Sequence, residues 1–279
     1  MAKVAAYILH NNGLAERVVP QLVQGVKAAG DRVDVYGDAQ YRPDHPERYD
    51  AAIFWGFVLT CQAIMAGYNE AGKAAVYLDL AYWKRDTYYK VSVGARHPTA
   101  YFQKVKHGSA RREKFGIKPE PYRRDGQHIL IAGLSTKAAW AEKEGPLGDY
   151  ERNLVAQLQQ YTKREIIYRP KTPSAAPIPG AGFSTIRAPL VPLLQNSWAV
   201  VSRHSNVVVD GLVLGVPAFS WYGVGSVMSL QDLSKIETPW YPEDREQFLN
   251  DVAYCQWSVK ELQNGTAWRH LKDEGLVRG

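Results

Sequence analysis

Apolar and polar positions follow two rhythms along this chain, and the switches between them mark its elements. Residues 3–9 form a short apolar run that stops at Asn11-Asn12-Gly13, which predicts a buried strand entering a tight turn. From 15 to 29 the apolar positions Val18, Val19, Leu22, Val23 and Val26 fall at helical spacing, and Gly30 supplies the stop. Residues 33–36, 51–56 and 75–80 predict three further strands. The turn-rich Arg42-Pro43-Asp44-His45-Pro46 precedes the second of them, and a helix around 61–71 precedes the third. Strands that alternate with helices predict a parallel sheet covered by helices.

The stretch 82–126 breaks the rhythm. It is basic, aromatic and irregular, and it ends in Lys118-Pro119-Glu120-Pro121-Tyr122, which reads as a hinge. Alternation resumes with a strand at 128–133, a helix at 149–160, and a strand at 165–168 stopped by Arg169-Pro170-Lys171-Thr172-Pro173. A Pro/Gly/Ser loop runs through Ser184. Then come a short helix at 189–195, a strand at 198–202, a helix at 206–214 ended by Gly215, and a strand at 217–220. From about residue 243 the chain reads as helical and aromatic, with Phe248, Tyr254, Trp257 and Trp268. The expected architecture is α/β with two lobes. The first spans 1–122 and carries the insert 82–122; the second spans 123–279 and includes the terminal helices.

The length of 279 residues and the 46% hydrophobic content give each lobe enough chain for a core. No run approaches the roughly 20 apolar residues that cross a bilayer. Residues 1–9 read as a strand and not as a signal peptide, because polar His10-Asn11-Asn12-Gly13 follows at once. Cys61 and Cys255 sit far apart in apolar or aromatic surroundings. They are expected as buried free thiols of a reducing, cytoplasmic compartment. Metal spacings such as C-x-x-C or H-E-x-x-H do not occur, which argues against a structural zinc.

Charge changes the picture in one place. Residues 84–124 hold twelve cations against Asp86, Glu113 and Glu120, a net of +9 in a chain whose total is +6. Interleaved are Tyr82, Trp83, Tyr88, Tyr89, Tyr101, Phe102 and Tyr122. Cations neutralise phosphates and aromatic faces stack on exposed bases, so this stretch is a candidate polyanion surface, with Lys84, Arg85, Arg96, Lys104, Lys106, Arg111 and Arg112 its contact residues. The plainer reading is a solvated basic loop beside ordinary core aromatics.

The sharpest chemical constellation is Ser202-Arg203-His204-Ser205-Asn206, followed by Val207-Val208-Val209-Asp210-Gly211 and closed by Gly215-Val216-Pro217. It places a polar turn at the carboxyl end of a strand and the amino end of a helix, where an anion is welcome. Ser205 and Asn206 can cap the helix and donate to a phosphate; Asp210, one turn on, can accept from a ribose hydroxyl. Gly133-Leu134-Ser135-Thr136-Lys137 after the lobe's first strand offers backbone amides, and Arg169 and Lys171 offer cations for a diphosphate. Neither a P-loop nor G-x-G-x-x-G is present, which argues against nicotinamide and flavin cofactors.

The strand, His204-Ser205-Asn206, the helix acid at Asp210 and the Gly215-Val216-Pro217 exit together resemble the donor-binding half of GT-B-type glycosyltransferases, over about 127–260. The more familiar family pattern has Glu at the position of Asp210. The pattern is also similar to phage-encoded transferases that decorate hydroxymethylated bases in DNA. The resemblance implies two Rossmann-like lobes facing a central cleft, with a terminal helix crossing back to the first lobe. It implies a nucleotide-sugar donor, a UDP-sugar first, on Gly133, Ser135, Thr136, Arg169, Lys171, Arg203, His204, Ser205, Asn206 and Asp210. The acceptor expected from the resemblance and the charge together is double-stranded phage DNA carrying a 5-hydroxymethylated pyrimidine such as hydroxymethylcytosine.

An inverting transfer needs a base for the acceptor hydroxyl. Asp79, at the carboxyl end of the fourth strand, is the first candidate, and His10 and His97 are the alternatives. Asp79 has a plainer reading as an ion-pair partner of Lys84 or Arg85. The cations beside the leaving diphosphate could stabilise it without a metal; a divalent ion, the oligomeric state and the stereochemistry are left open. Two rival functions remain: a capsule or lipopolysaccharide glycosyltransferase, and a non-catalytic DNA-binding protein on the same scaffold.

Overall fold

The computed structural model describes residues 1–279, the Ala141 side chain excepted. In chain order the strands are β1 (Lys3–Ile8), β2 (Arg32–Gly37), β3 (Ala51–Trp55), β4 (Ala74–Leu80), β5 (Tyr88–Val93), β6 (His128–Ala132), β7 (Ile166–Arg169), β8 (Gly182–Phe183), β9 (Ser197–Ser202), β10 (Ala218–Ser220), β11 (Ser229–Leu230) and β12 (Gln256–Ser258). They form two six-stranded sheets, ordered β12-β5-β4-β3-β1-β2 and β11-β10-β9-β6-β7-β8. The first sheet belongs to a compact unit of residues 1–98 and 252–279, the second to a unit of residues 99–251. The split falls upstream of the proline-rich 118–122, and the chain from Val252 onward returns to the first unit.

In the first unit β2, β1, β3 and β4 run parallel. Alternation along β1 sends Val4 and Ala6 to one face, where they pack with Val18, Leu22 and Val26 of the helix Gly13–Ala28 and with Leu262, Trp268 and Leu271 of the tail. Ala5 and Tyr7 point the other way, toward Cys61, Ile64, Met65 and Tyr68 of the helix Leu59–Glu70. Burial on both faces is why β1, β3 and β4 read as near-continuous apolar runs. Asn12 starts the first helix by accepting from Ala15 N at 3.0 Å, and Gly30, at φ +87°, ends it.

Two strands of this sheet fall where the sequence predicts none. β5 lies in the stretch read as irregular and pairs antiparallel with β4. Its polar Lys90 and Ser92 are 2% and 3% exposed, which hides the strand's pattern. β12 lies within the predicted terminal helix and pairs antiparallel with β5; the tail is a helix Arg245–Ala253, this strand, and helices Val259–Gln263 and Thr266–Asp273. Trp257 and Trp268 are buried in the first unit's core. Buried Asp31 ties the tail down, accepting from Trp268 Nε1, Lys272 Nζ and Ala2 N at 2.8 Å each.

In the second unit all neighbouring strands are parallel. Ile129, Ile131, Ala199, Val201 and Phe219 share one face with Leu154, Val155 and Leu158 of the helix Asp149–Leu158. The helix Val207–Val213 covers the opposite face: a Cβ on Gly211 would stand 3.0 Å from Val200 Cγ1. Helices His45–Arg48, Thr99–Phe102, Ala110–Lys114 and Thr136–Ala141, with the two-residue strands β8 and β11, are among the elements the sequence leaves unread. Both cysteines are free and buried. Among the described residues no helix is long and apolar enough to cross a membrane.

Candidate functional site

Strands β6 and β9 are neighbours, and the helices Asp149–Leu158 and Val207–Val213 that follow them in the chain cover opposite faces of their sheet. That makes the space outside their carboxyl ends a topological switch point, where ligands bind in open α/β sheets. Residues 133–135 and 203–206 are the turns that border it.

Ser202, at the end of β9, builds this corner. Its hydroxyl donates to Ala132 O at 2.9 Å, joining the two strand ends, and accepts from Ser205 N at 3.1 Å. Ser205 Oγ in turn accepts from Val207 N at 3.3 Å. Asn206 occupies the N-cap position without a side-chain capping bond. The amides of Ser205 and Val207 are thus bonded within the turn. Arg203 O accepts from Tyr222 N at 2.8 Å, and Gly223, at φ +79°, lets that second turn lie against His204, since a Cβ would stand 2.8 Å from His204 O. Asp210 is half-buried on the helix that follows.

Two glutamates face the Arg203 and His204 side chains of the turn. Arg203 pairs through Nε with Glu142 and through Nη1 with Glu144, the latter at 2.6 Å. His204 Nε2 lies 2.8 Å from Glu142 Oε1. The Arg203 guanidinium lies 4.6 Å from the Tyr222 ring centre and 5.8 Å from that of Tyr150. Burial alone would raise the Glu142 pKa, but bonds from His204 and Arg203 outweigh it and hold the carboxyl below its ordinary value. Burial opposes the Arg203 charge as well, and Glu142 and Glu144 more than restore it. A cavity of about 290 Å³ adjoins this cluster, lined by Glu144, Tyr150, Asn153, Leu154, Gln157, Arg203 and Trp221.

Gly133 is required by close packing: a Cβ there would come 2.7 Å from Tyr168 Cε2 and 3.0 Å from Glu151 Oε1. Glu151, 1% exposed, accepts from Leu134 N at 2.6 Å and fixes the loop. Ser135 caps its short helix by accepting from Ala138 N at 3.2 Å, and Thr136 is exposed beside it. Arg169 is turned away from the role the sequence suggests. Its guanidinium donates to Thr185 O at 3.0 Å and Ile186 O at 2.9 Å, so it clamps the loop after β8. Lys171 is exposed. A larger hollow of about 550 Å³ lies at the amino ends of β7 and β8, the wrong end for a switch-point ligand.

In the first unit Asp79, next to last in β4, has both oxygens occupied. Oδ2 accepts from Tyr77 Oη at 2.7 Å and faces Lys90 Nζ at 3.7 Å; Oδ1 accepts from Leu80 N at 2.8 Å. Its ion-pair partner is therefore Lys90, not the expected Lys84 or Arg85. Burial pushes its pKa up, but Lys90, Tyr77 and Leu80 N prevail and lower it. His10 is exposed after β1, and His97 is half-buried after β5.

The basic stretch divides into surface and interior. Lys84, Arg85, Lys104 and Lys106 are exposed; Arg96 and Arg111 are half-buried. Arg112 is a structural cation: 7% exposed, it donates to Asn250 Oδ1 at 2.6 Å and Ile117 O at 3.0 Å, and pairs with Glu246 at 3.2 Å. Sequence reasoning passed over Ser202, Glu142, Glu144 and Glu151. Ser202 lay inside the quoted motif, whereas the acids meet their partners only through the fold.

No protein-family model and no curated protein matches this chain. Among solved structures it is similar to the KpsC β-Kdo 2,7-transferase of Thermosulfurimonas dismutans, with a TM-score of 0.59 over 97% of this chain and 99% of that one, at 13% identity. It is also similar to the β-Kdo 2,4-transferase of the same KpsC, with a TM-score of 0.51 over 91% and 92% of the two chains, at 14% identity. The fold is of the GT-B type. At such identities the likeness is one of fold.

Proposed function

We propose that this protein transfers a sugar from a nucleotide-sugar donor to an acceptor hydroxyl. The observation that carries this reading is the placement of Arg203-His204-Ser205-Asn206 at the switch point between β6 and β9. In the proposed reaction the acceptor oxygen bonds to the anomeric carbon, the bond from that carbon to the phosphate oxygen breaks, and the nucleotide leaves with the electron pair. Arg203 and His204 hold the departing phosphate charge, and Asp210 takes a ribose hydroxyl. Lys171 is the further cation in reach of this reading; Arg169 supports its loop. Asp79 receives the hydroxyl proton, with His10 and His97 as alternatives. A carboxylate so well bonded is a weak base, so Asp79 contributes as much by orienting the hydroxyl as by accepting its proton.

The acceptor in this reading is a polyanion, because the exposed cations Lys84, Arg85, Lys104 and Lys106 suit one. DNA with a 5-hydroxymethylated pyrimidine is the first acceptor to test. A capsule- or lipopolysaccharide-type glycan is the second, brought forward by the fold likeness to two KpsC Kdo transferases. The deciding experiment incubates the protein with UDP-sugars and a nucleotide-activated Kdo, each with hydroxymethylated DNA or with an acidic oligosaccharide, and weighs the products. A sugar-sized mass gain on one acceptor identifies donor and acceptor together. No gain with any pair, and no thermal shift from any nucleotide-sugar, would leave the non-catalytic reading in its place. With an active pair in hand, Asp79→Asn is expected to lower kcat at least tenfold and leave donor affinity within twofold. Unchanged kcat would move the base role to His10 or His97.

A further inference from the structure

We propose that Glu142 and Glu144 are built-in competitors for the donor's phosphates and so set the affinity of the Arg203-His204 turn. This rests on the donor reading given above. The two oxygens of one carboxylate, that of Glu142, face two nitrogens, Arg203 Nε and His204 Nε2, as two oxygens of a phosphate would. Glu144 takes a third position, Arg203 Nη1. All three side chains of the Arg203 ion pairs are largely shielded, at 18% exposure for Arg203, 21% for Glu142 and 22% for Glu144. Charge-assisted bonds in such surroundings are strong.

Two amides of the turn, those of Ser205 and Val207, are bonded internally. A phosphate that pairs with Arg203 and His204 must displace the glutamates that face them. Both acids lie between the helices Thr136–Ala141 and Asp149–Leu158, on a segment where Lys143, Gly145 and Gly148 have φ of +57°, +81° and +95°. Both acids of this segment reach one guanidinium. Displacing Glu144 also opens one wall of the 290 Å³ cavity beside Arg203. The acids thus grade ligands by charge: a diphosphate can replace two carboxylates, and a single carboxylate cannot.

The test uses pyrophosphate and UDP as probes, titrated calorimetrically into the full chain and into Glu142→Gln/Glu144→Gln. Glutamine keeps the shape and removes the charge. The double variant is expected to bind both probes at least tenfold more tightly, with a smaller preference for pyrophosphate over acetate. Equal or weaker binding by a folded variant would overturn the inference and leave the donor reading standing. Binding by neither protein would overturn both. If the double variant does not fold, the single substitutions Glu142→Gln and Glu144→Gln carry the same comparison, with at least threefold expected from each.

Discussion

Lys90 holds its ammonium where an apolar side chain would ordinarily pack. Only 2% exposed, it lies 3.7 Å from Asp79 Oδ2, donates to Arg96 O at 3.2 Å, and sits 4.9 Å from the Tyr77 ring centre. Burial pushes its pKa down to about 8, Arg96 adds to the push, and Asp79 opposes it. An unfolded chain's lysine titrates near about 10.4. Between those values the unfolded chain binds the extra proton, so this group's contribution to stability rises with pH. Its penalty, of about 3 kcal/mol, is complete below about pH 8 and fades toward the unfolded value. Urea unfolding of the protein and of Lys90→Met from pH 7 to 10 should show the difference moving in the parent's favour by roughly 2–3 kcal/mol. The buried tyrosines also titrate abnormally, but they are common to both proteins and cancel. A difference that stays flat with pH would mean that this lysine titrates normally.

At the scale of elements, one contact decides how the tail joins the first unit. A Cβ on Gly25, in the helix Gly13–Ala28, would stand 1.9 Å from Leu262 O, so this helix and Val259–Gln263 meet backbone to backbone. Gly25→Ala is expected to destabilise by about 2 kcal/mol or more, because neither backbone can yield. Gly13, at the start of the same helix, has nothing within 4 Å of its Cβ position, so Gly13→Ala should be neutral or stabilising by up to about 1 kcal/mol. Chemical denaturation of the pair checks both; equal effects would refute the crossing. Elements whose local pattern agrees with their environment were legible in the sequence, among them β1, β3, β6, β9 and the helices at 13–28 and 149–158. β5 was not, because Lys90 and Ser92 occupy its buried positions. β12 was not, because three residues carry no period. The Arg203-His204 turn could be found because its residues are contiguous. Its acidic partners could not, since Glu142 meets Arg203 across 61 positions of chain.

Charge is a property of the whole molecule, and folding redistributes it. Of the twelve cations between 84 and 124, Lys90 and Arg112 are interior, and Lys84, Arg85, Lys104, Lys106, Lys114, Lys118 and Arg124 are the exposed ones. A sequence count of +9 therefore overstates the field a polyanion would meet. It also gives a poor choice of mutation: reversing Arg112 would strand Asn250 and Glu246 and test folding instead of binding. Lys104 and Lys106 are the better pair, exposed and two residues apart on the short stretch after the helix Thr99–Phe102. Each phosphate contact adds about 0.9 to the slope of log affinity against log salt for duplex DNA. Lys104→Gln/Lys106→Gln should weaken binding of a DNA duplex at low salt and reduce that slope by roughly two, while the thermal midpoint stays put. If both cations meet phosphate, the weakening will be similar for every sequence, because such contacts position a duplex without reading it. An unchanged slope would place the polyanion surface elsewhere on the protein.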